Sequence, residues 1–179
     1  MLAITLYEPY ASLVACELKR FETRSWPAPF GSSGQRLAIH AARKWTPGQR
    51  QKTVELATAA GELVFPNHRE TPAADWWRAV SIRNTFSSTW RPDTLGRVLC
   101  TVQFDGCAQI DDDTEAQWCK RLDARHPFHS QLAFRQFEVN AGDWSCGRYV
   151  WELSNVERFD DPPLARGRQR IWHWKPDAK

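Results

Sequence analysis

Lys19, Glu22 and Arg24 stand close together in the run Leu18-Lys19-Arg20-Phe21-Glu22-Thr23-Arg24-Ser25-Trp26, with two aromatics alongside. If residues 21–26 are extended, Glu22 and Arg24 point to one face and Thr23 to the other, because strand side chains alternate. A lysine just ahead of the strand reaches the Glu22 face. Such a trio can hold a small polar ligand or move a proton. The same spacing also fits a surface ion-pair cluster, and exposed pairs of that kind are common and contribute little.

Further cations gather at both ends of the chain. Lys19, Arg20, Arg24, Arg36, Arg43 and Lys44 fall in the first quarter; Arg166, Arg168, Arg170 and Lys175 fall at the end. If the last segment pairs near the first strands, these form one basic face with tryptophans between them. If it does not, they are two solvated patches. Phosphate contacts combined with stacking are the usual basis of single-strand recognition. His40 ends a strand just before Arg43 and Lys44, and reads either as a satisfied structural group or as a donor in a cleft.

The elements that must position these groups are legible from pattern. Leu2–Leu6 reads as a short buried strand. Pro9 suits the first turn of a helix through Cys16, since its missing N–H would be unpaired there anyway. The charged strand Phe21–Trp26 follows, then a Pro/Gly loop and a strand Arg36–Ala41. Thr46 and Pro47 predict an N-cap and first helical residue, with a helix to about Ala60. Thr71-Pro72 predicts a helix carrying Trp76-Trp77, a pair that either caps the cleft or packs against the sheet. Arg97–Ile110 alternates as a long strand. Residues 111–135 read as polar and irregular. A strand runs from Gly147 to about Phe159, and residues 167–174 can add a last one. Long non-local pairings with few helices favour a small barrel or curled sheet.

Composition sets the bounds. The chain has 179 residues, enough for one domain with a sizeable core, and 42% hydrophobic content is ordinary for a folded protein. A net charge of +3 permits an anionic partner without demanding one. Ten tryptophans are the outlier, serving cores, clefts or base stacking. The five cysteines (Cys16, Cys100, Cys107, Cys119, Cys146) include no C-x-x-C pair. Buried packing accounts for each. With no secretory signal, reduced thiols and a cytoplasmic location are expected. No apolar run reaches the length of a membrane span. His126 and His129, with Cys119 nearest, read as loop residues rather than a zinc site, and Asp111–Glu115 as a solvated turn, so no metal or other cofactor is expected. G-x-S-x-G, P-loop and dinucleotide fingerprints are absent from the sequence.

Five segments in combination resemble the ASCH domain family, a branch of the PUA-like superfamily. They are Ile4-Thr5-Leu6-Tyr7-Glu8-Pro9-Tyr10-Ala11-Ser12-Leu13, Lys19–Trp26 against a G-x-K-x-x-E-x-R pattern, Leu37–Lys44, Gly147–Leu153 and Gly167–Trp172. The glycine of that pattern is replaced here: Glu17-Leu18 precede the lysine. The resemblance implies an α+β fold, a PUA-like small mixed β-barrel of five to six strands with peripheral helices. It implies one domain over residues 1–179, with insertions near 45–95 and 111–140. It further implies a cleft that binds RNA, DNA or a modified nucleoside. Lys19, Glu22 and Arg24 would lie at the cleft, with Tyr10, Trp26, His40, Lys44, Arg148, Tyr149 and Arg168 as walls.

Three functions fit these residues. As a binding module for RNA, a modified nucleoside or nucleotide, or single-stranded DNA, the cleft would stack a base on Tyr10 or Trp26. Glu22 would accept from an exocyclic amine, and Arg43, Lys44 and Arg168 would meet phosphate. A branch of the resembled family hydrolyses N4-acylated cytidine with a lysine, a threonine three residues on and a distant glutamate. Lys19 matches the lysine, but Glu22 stands at the threonine position, and Glu115 and Glu138 are candidates for the glutamate. In that reading Lys19 or Glu22 activates water and Arg24 stabilises the oxyanion. A metal-independent ribonuclease would use His40 and Lys19 as acid and base, with Arg24 on the phosphate.

Overall fold

A computed structural model describes residues 1–31, 33–64, 92–111 and 132–176. Its elements are β1 (Leu2–Leu6), α1 (Tyr10–Ala15), β2 (Phe21–Arg24), β3 (Gln35–Ala41), α2 (Pro47–Val64), β4 (Val98–Gln109), α3 (Leu132–Asn140), β5 (Tyr149–Arg158) and β6 (Ile171–His173). One sheet takes the order β2-β5-β4-β3-β1-β6, with β1 and β3 parallel and the other pairs antiparallel. The sheet curls: Arg24, on the edge strand β2, donates from Nη2 to the Thr5 carbonyl on β1 at 3.3 Å, near the opposite edge. The result is the α+β, PUA-like half-barrel that the sequence implied, with three helices against it among the described residues.

Strand alternation divides the core into two faces. Ile4 and Leu6, Leu37 and Ile39, Cys100, Val102 and Phe104, and Trp151 and Leu153 fill the concave side, closed by Ala11, Val14 and Ala15 of α1. On the other side Ala3 and Ala38 are small, which leaves room for Trp172 and Trp174 to lie across the sheet. A β-bulge interrupts the β3–β4 ladder between Ile39 and His40. Bulges of this kind re-aim side chains, and this one sits at a cleft residue.

Two local devices fix the helices. Thr46 and Gln49 form a capping box: Thr46 N–H donates to Gln49 Oε1 (2.7 Å) and Gln49 N–H to Thr46 Oγ1 (3.3 Å). At the end of α1, Glu17 N–H donates to Val14 O and Leu18 N–H to Leu13 O, a Schellman motif. Glu17 holds φ at +61°, the left-handed conformation that glycine adopts without steric cost. The glycine missing from the sequence pattern is therefore missing at the position where its freedom is of use.

Several expectations are corrected. β2 stops at Arg24 rather than Trp26, and β6 covers only Ile171–His173. α3 was not anticipated; it has no acidic residue in its first turn and no basic residue in its last to announce it. Cys16 and Cys100 are buried, but Cys107 is half-buried and Cys146 exposed. The Thr71–Pro72 helix, Trp76-Trp77, Cys119, Glu115, His126 and His129 lie outside the described residues.

Candidate functional site

The Schellman turn delivers Lys19 directly into the interior. Its side chain is 1% exposed. The ammonium donates to the Phe21 carbonyl, stands 3.8 Å from Glu22 Oε2 and lies 5.9 Å from the centre of the Tyr10 ring. Glu22 also meets Arg24, with Nε to Oε1 at 3.0 Å. As the spacing predicts, Glu22 and Arg24 share a face. Thr23 is on the other face, where its hydroxyl accepts the Asp143 N–H at 2.9 Å.

Glu138 completes this cluster from α3. It is fully buried, and its carboxylate accepts the backbone N–H groups of Arg20 (3.0 Å) and Phe21 (2.8 Å). Burial pushes its pKa up, while the Lys19 charge and the two amides pull it back. Burial also raises the Tyr10 phenol, with the Glu22 charge adding to the effect. Carboxylates and cations therefore neutralise one another from Glu138 through Lys19 and Glu22 to Arg24, and the fixed backbone of β2 holds the series in line.

Arg24 is where this buried series meets open space. A cleft of about 570 Å³ is lined by Arg24, Trp26, His40, Lys44 and Arg168, together with Thr5, Tyr7, Ala42, Arg43, Arg166, Gly167, Gln169 and Arg170. Among the described residues lining it, none is acidic. Arg43, Lys44, Arg166, Arg168 and Arg170 are exposed and have no carboxylate within ion-pair distance among the described residues. A strap, residues 165–170, forms one wall and leads into β6. Trp26 packs edge-on against Trp151, 4.8 Å between ring centres.

His40 underlies the strap. It is 1% exposed, its Nε2 is 3.2 Å from the Ala165 carbonyl, and its ring meets Trp172 edge-on at 5.7 Å. Trp172 Nε1 in turn donates to Thr5 Oγ1 at 3.1 Å. A Cβ at Gly167 would overlap the imidazole, so only glycine lets the strap sit this close. Burial holds His40 below its ordinary pKa and nearby Arg43 adds to this, while the contact with the Ala165 carbonyl opposes it.

The structure thus divides the ten residues singled out from the sequence. Arg24, Trp26, His40, Lys44 and Arg168 line the cleft. Tyr10, Lys19 and Glu22 stand behind it in the core. Tyr149 packs against the main core cluster, and Arg148 pairs with Asp143 at 3.3 Å. Sequence reasoning did not single out Tyr7, which is 51% exposed on the turn after β1. Its signal was an aromatic placed just beyond a buried strand. Arg166 and Arg170 were visible only as members of the terminal basic group.

No curated protein matches this chain. A family model, the ASCH domain, matches residues 4–163. That span holds β2 to β5, most of β1 and the three described helices, together with Lys19, Glu22, Arg24 and His40. The chain belongs to the ASCH domain family.

Proposed function

We propose that this protein binds RNA, or a modified nucleoside or nucleotide, in the cleft between β1, β2, β3 and the strap. The supporting observation is the lining: Arg43, Lys44, Arg166, Arg168 and Arg170, without acidic partners among the described residues, surround a cavity that also presents Tyr7 and Trp26. Unpaired cations favour phosphate, and exposed aromatic faces favour bases, which every nucleotide supplies together. Family membership supports the same reading. Fluorescence anisotropy with labelled single-stranded RNA tests it. Saturable binding is expected, weakened at least several-fold in Trp26→Ala, since base–aromatic stacking contributes about 1–3 kcal/mol. Absence of binding, or binding indifferent to Trp26 and to an Arg43→Ala/Lys44→Ala pair, overturns it.

One observation favours hydrolysis of N4-acylated cytidine as a second reading: Glu138 is bonded to the backbone just after Lys19 and feels its charge, uniting the lysine with a distant glutamate. Against it, Lys19 is sealed at 1% exposure and does not line the cleft. Chromatography of N4-acetylcytidine incubated with the protein separates the two. Release of cytidine by wild type and not by Lys19→Ala establishes the hydrolase; an unchanged substrate removes it. Ribonuclease action has less support, because His40 is buried beneath Gly167, out of reach of a phosphate in the cleft.

A further inference from the structure

The strap carries Arg166, Arg168 and Arg170, and all three line the cleft. Three other arginines are paired with carboxylates: Arg24 with Glu22, Arg36 with Glu157 at 2.7 Å, and Arg148 with Asp143. Among the described residues the strap arginines have no such partner. Three like charges on one short segment repel one another, and a polyanion would relieve that repulsion. The strap is held in place. Gly167 lies on the His40 ring, Ala165 meets His40 Nε2, and β6 then pairs with β1. Arg170 holds φ at +58°, a conformation that a non-glycine residue keeps only when its surroundings impose it. The arginines are thus presented by a fixed backbone, which lowers the entropy lost on binding.

We propose that the strap is a phosphate clamp: the cleft takes a nucleotide ligand through two or more of its phosphates, with the base on the aromatic lining that Tyr7 and Trp26 supply. This rests on the nucleotide-binding reading above and narrows it, since a neutral nucleoside would leave the strap charges unmet. Tyr7, half exposed at the same cleft, offers an open aromatic face for a base.

Calorimetric titration of the full chain with uridine, UMP, UTP and a uridine tetranucleotide lacking terminal phosphates tests the clamp. UTP is expected to bind about tenfold or more tighter than UMP, or the tetranucleotide to do so. For the tetranucleotide, log K against log salt should fall with a slope of about −1.4 or steeper, because each phosphate engaged on a single strand contributes about −0.7. Arg168→Ala should lose about one phosphate's share of that slope while its thermal midpoint stays put. Preference for UTP assigns the clamp to a terminal phosphate chain, and preference for the tetranucleotide assigns it to consecutive backbone phosphates; either upholds it. If uridine or UMP binds as tightly as both polyphosphates, or Arg168→Ala and Arg170→Ala change nothing, the clamp is overturned and the nucleotide reading survives. If none of the four binds, both fall.

Discussion

Lys19 and Arg168 are both cations near one cleft, and their surroundings are opposite. Lys19 is buried, with Glu22 3.8 Å away, the Glu138 charge acting on it and the Phe21 carbonyl accepting from it. Arg168 is exposed, with no acidic partner among the described residues. A charge removed from water must be paired and hydrogen-bonded, or it would be expelled or neutralised. A charge left in water carries no such requirement. Its field is then free to act on a ligand. The buried cluster therefore serves to hold β2 and Arg24 in place, whereas the strap keeps its charges available.

Breaking the paired region should give the largest effect. Lys19→Ala removes the buried cation that balances Glu22 and Glu138 and is expected to cost about 3–5 kcal/mol, read from urea unfolding. A loss under about 1 kcal/mol would mean that the buried charges are not mutually dependent. Gly167→Ala should follow, at about 1–3 kcal/mol, because the new Cβ overlaps His40 and forces the strap outward. The same variant should bind RNA more weakly, whereas a merely local packing defect would leave affinity unchanged.

Acid should act next, through His40. Its folded pKa is depressed, so its neutral form is fully compatible with folding above the ordinary value of 6.5. Below that value the unfolded chain takes up the proton first, and stability is lost as pH falls toward the depressed folded value. Urea midpoints should drop below about pH 6.5 in wild type and drop less in His40→Gln; equal slopes in the two would detach His40 from the effect.

Smaller changes sharpen the contrast. Glu17→Gly should gain about 0.5–1 kcal/mol by relieving the left-handed φ, measurable as a higher thermal midpoint. Lys44→Ala should leave stability within about 0.5 kcal/mol, as for a surface residue outside any packed feature, and still reduce RNA affinity. A stability change as large as that of Lys19→Ala would erase the distinction between the regions.

The features legible in the residue order are those that short-range physics controls. The alternation of Val98, Cys100, Val102 and Phe104 made β4 visible. Thr46-Pro47 announced the start of α2 through its cap, and alternation alone put Glu22 opposite Thr23. Family membership was also legible, because it rests on ordered local segments. Which charges would be neutralised depended on long-range packing. Glu138 reaches Phe21 across 117 residues, and this pairing requires α3 to pack beside α1 and β2. Periodicity does not encode that distance. The strap arginines likewise joined Arg24 and Lys44 only when β6 paired with β1 and brought the end of the chain against its beginning. Residue type established that a cation was present; strand order settled whether it met a carboxylate or open water.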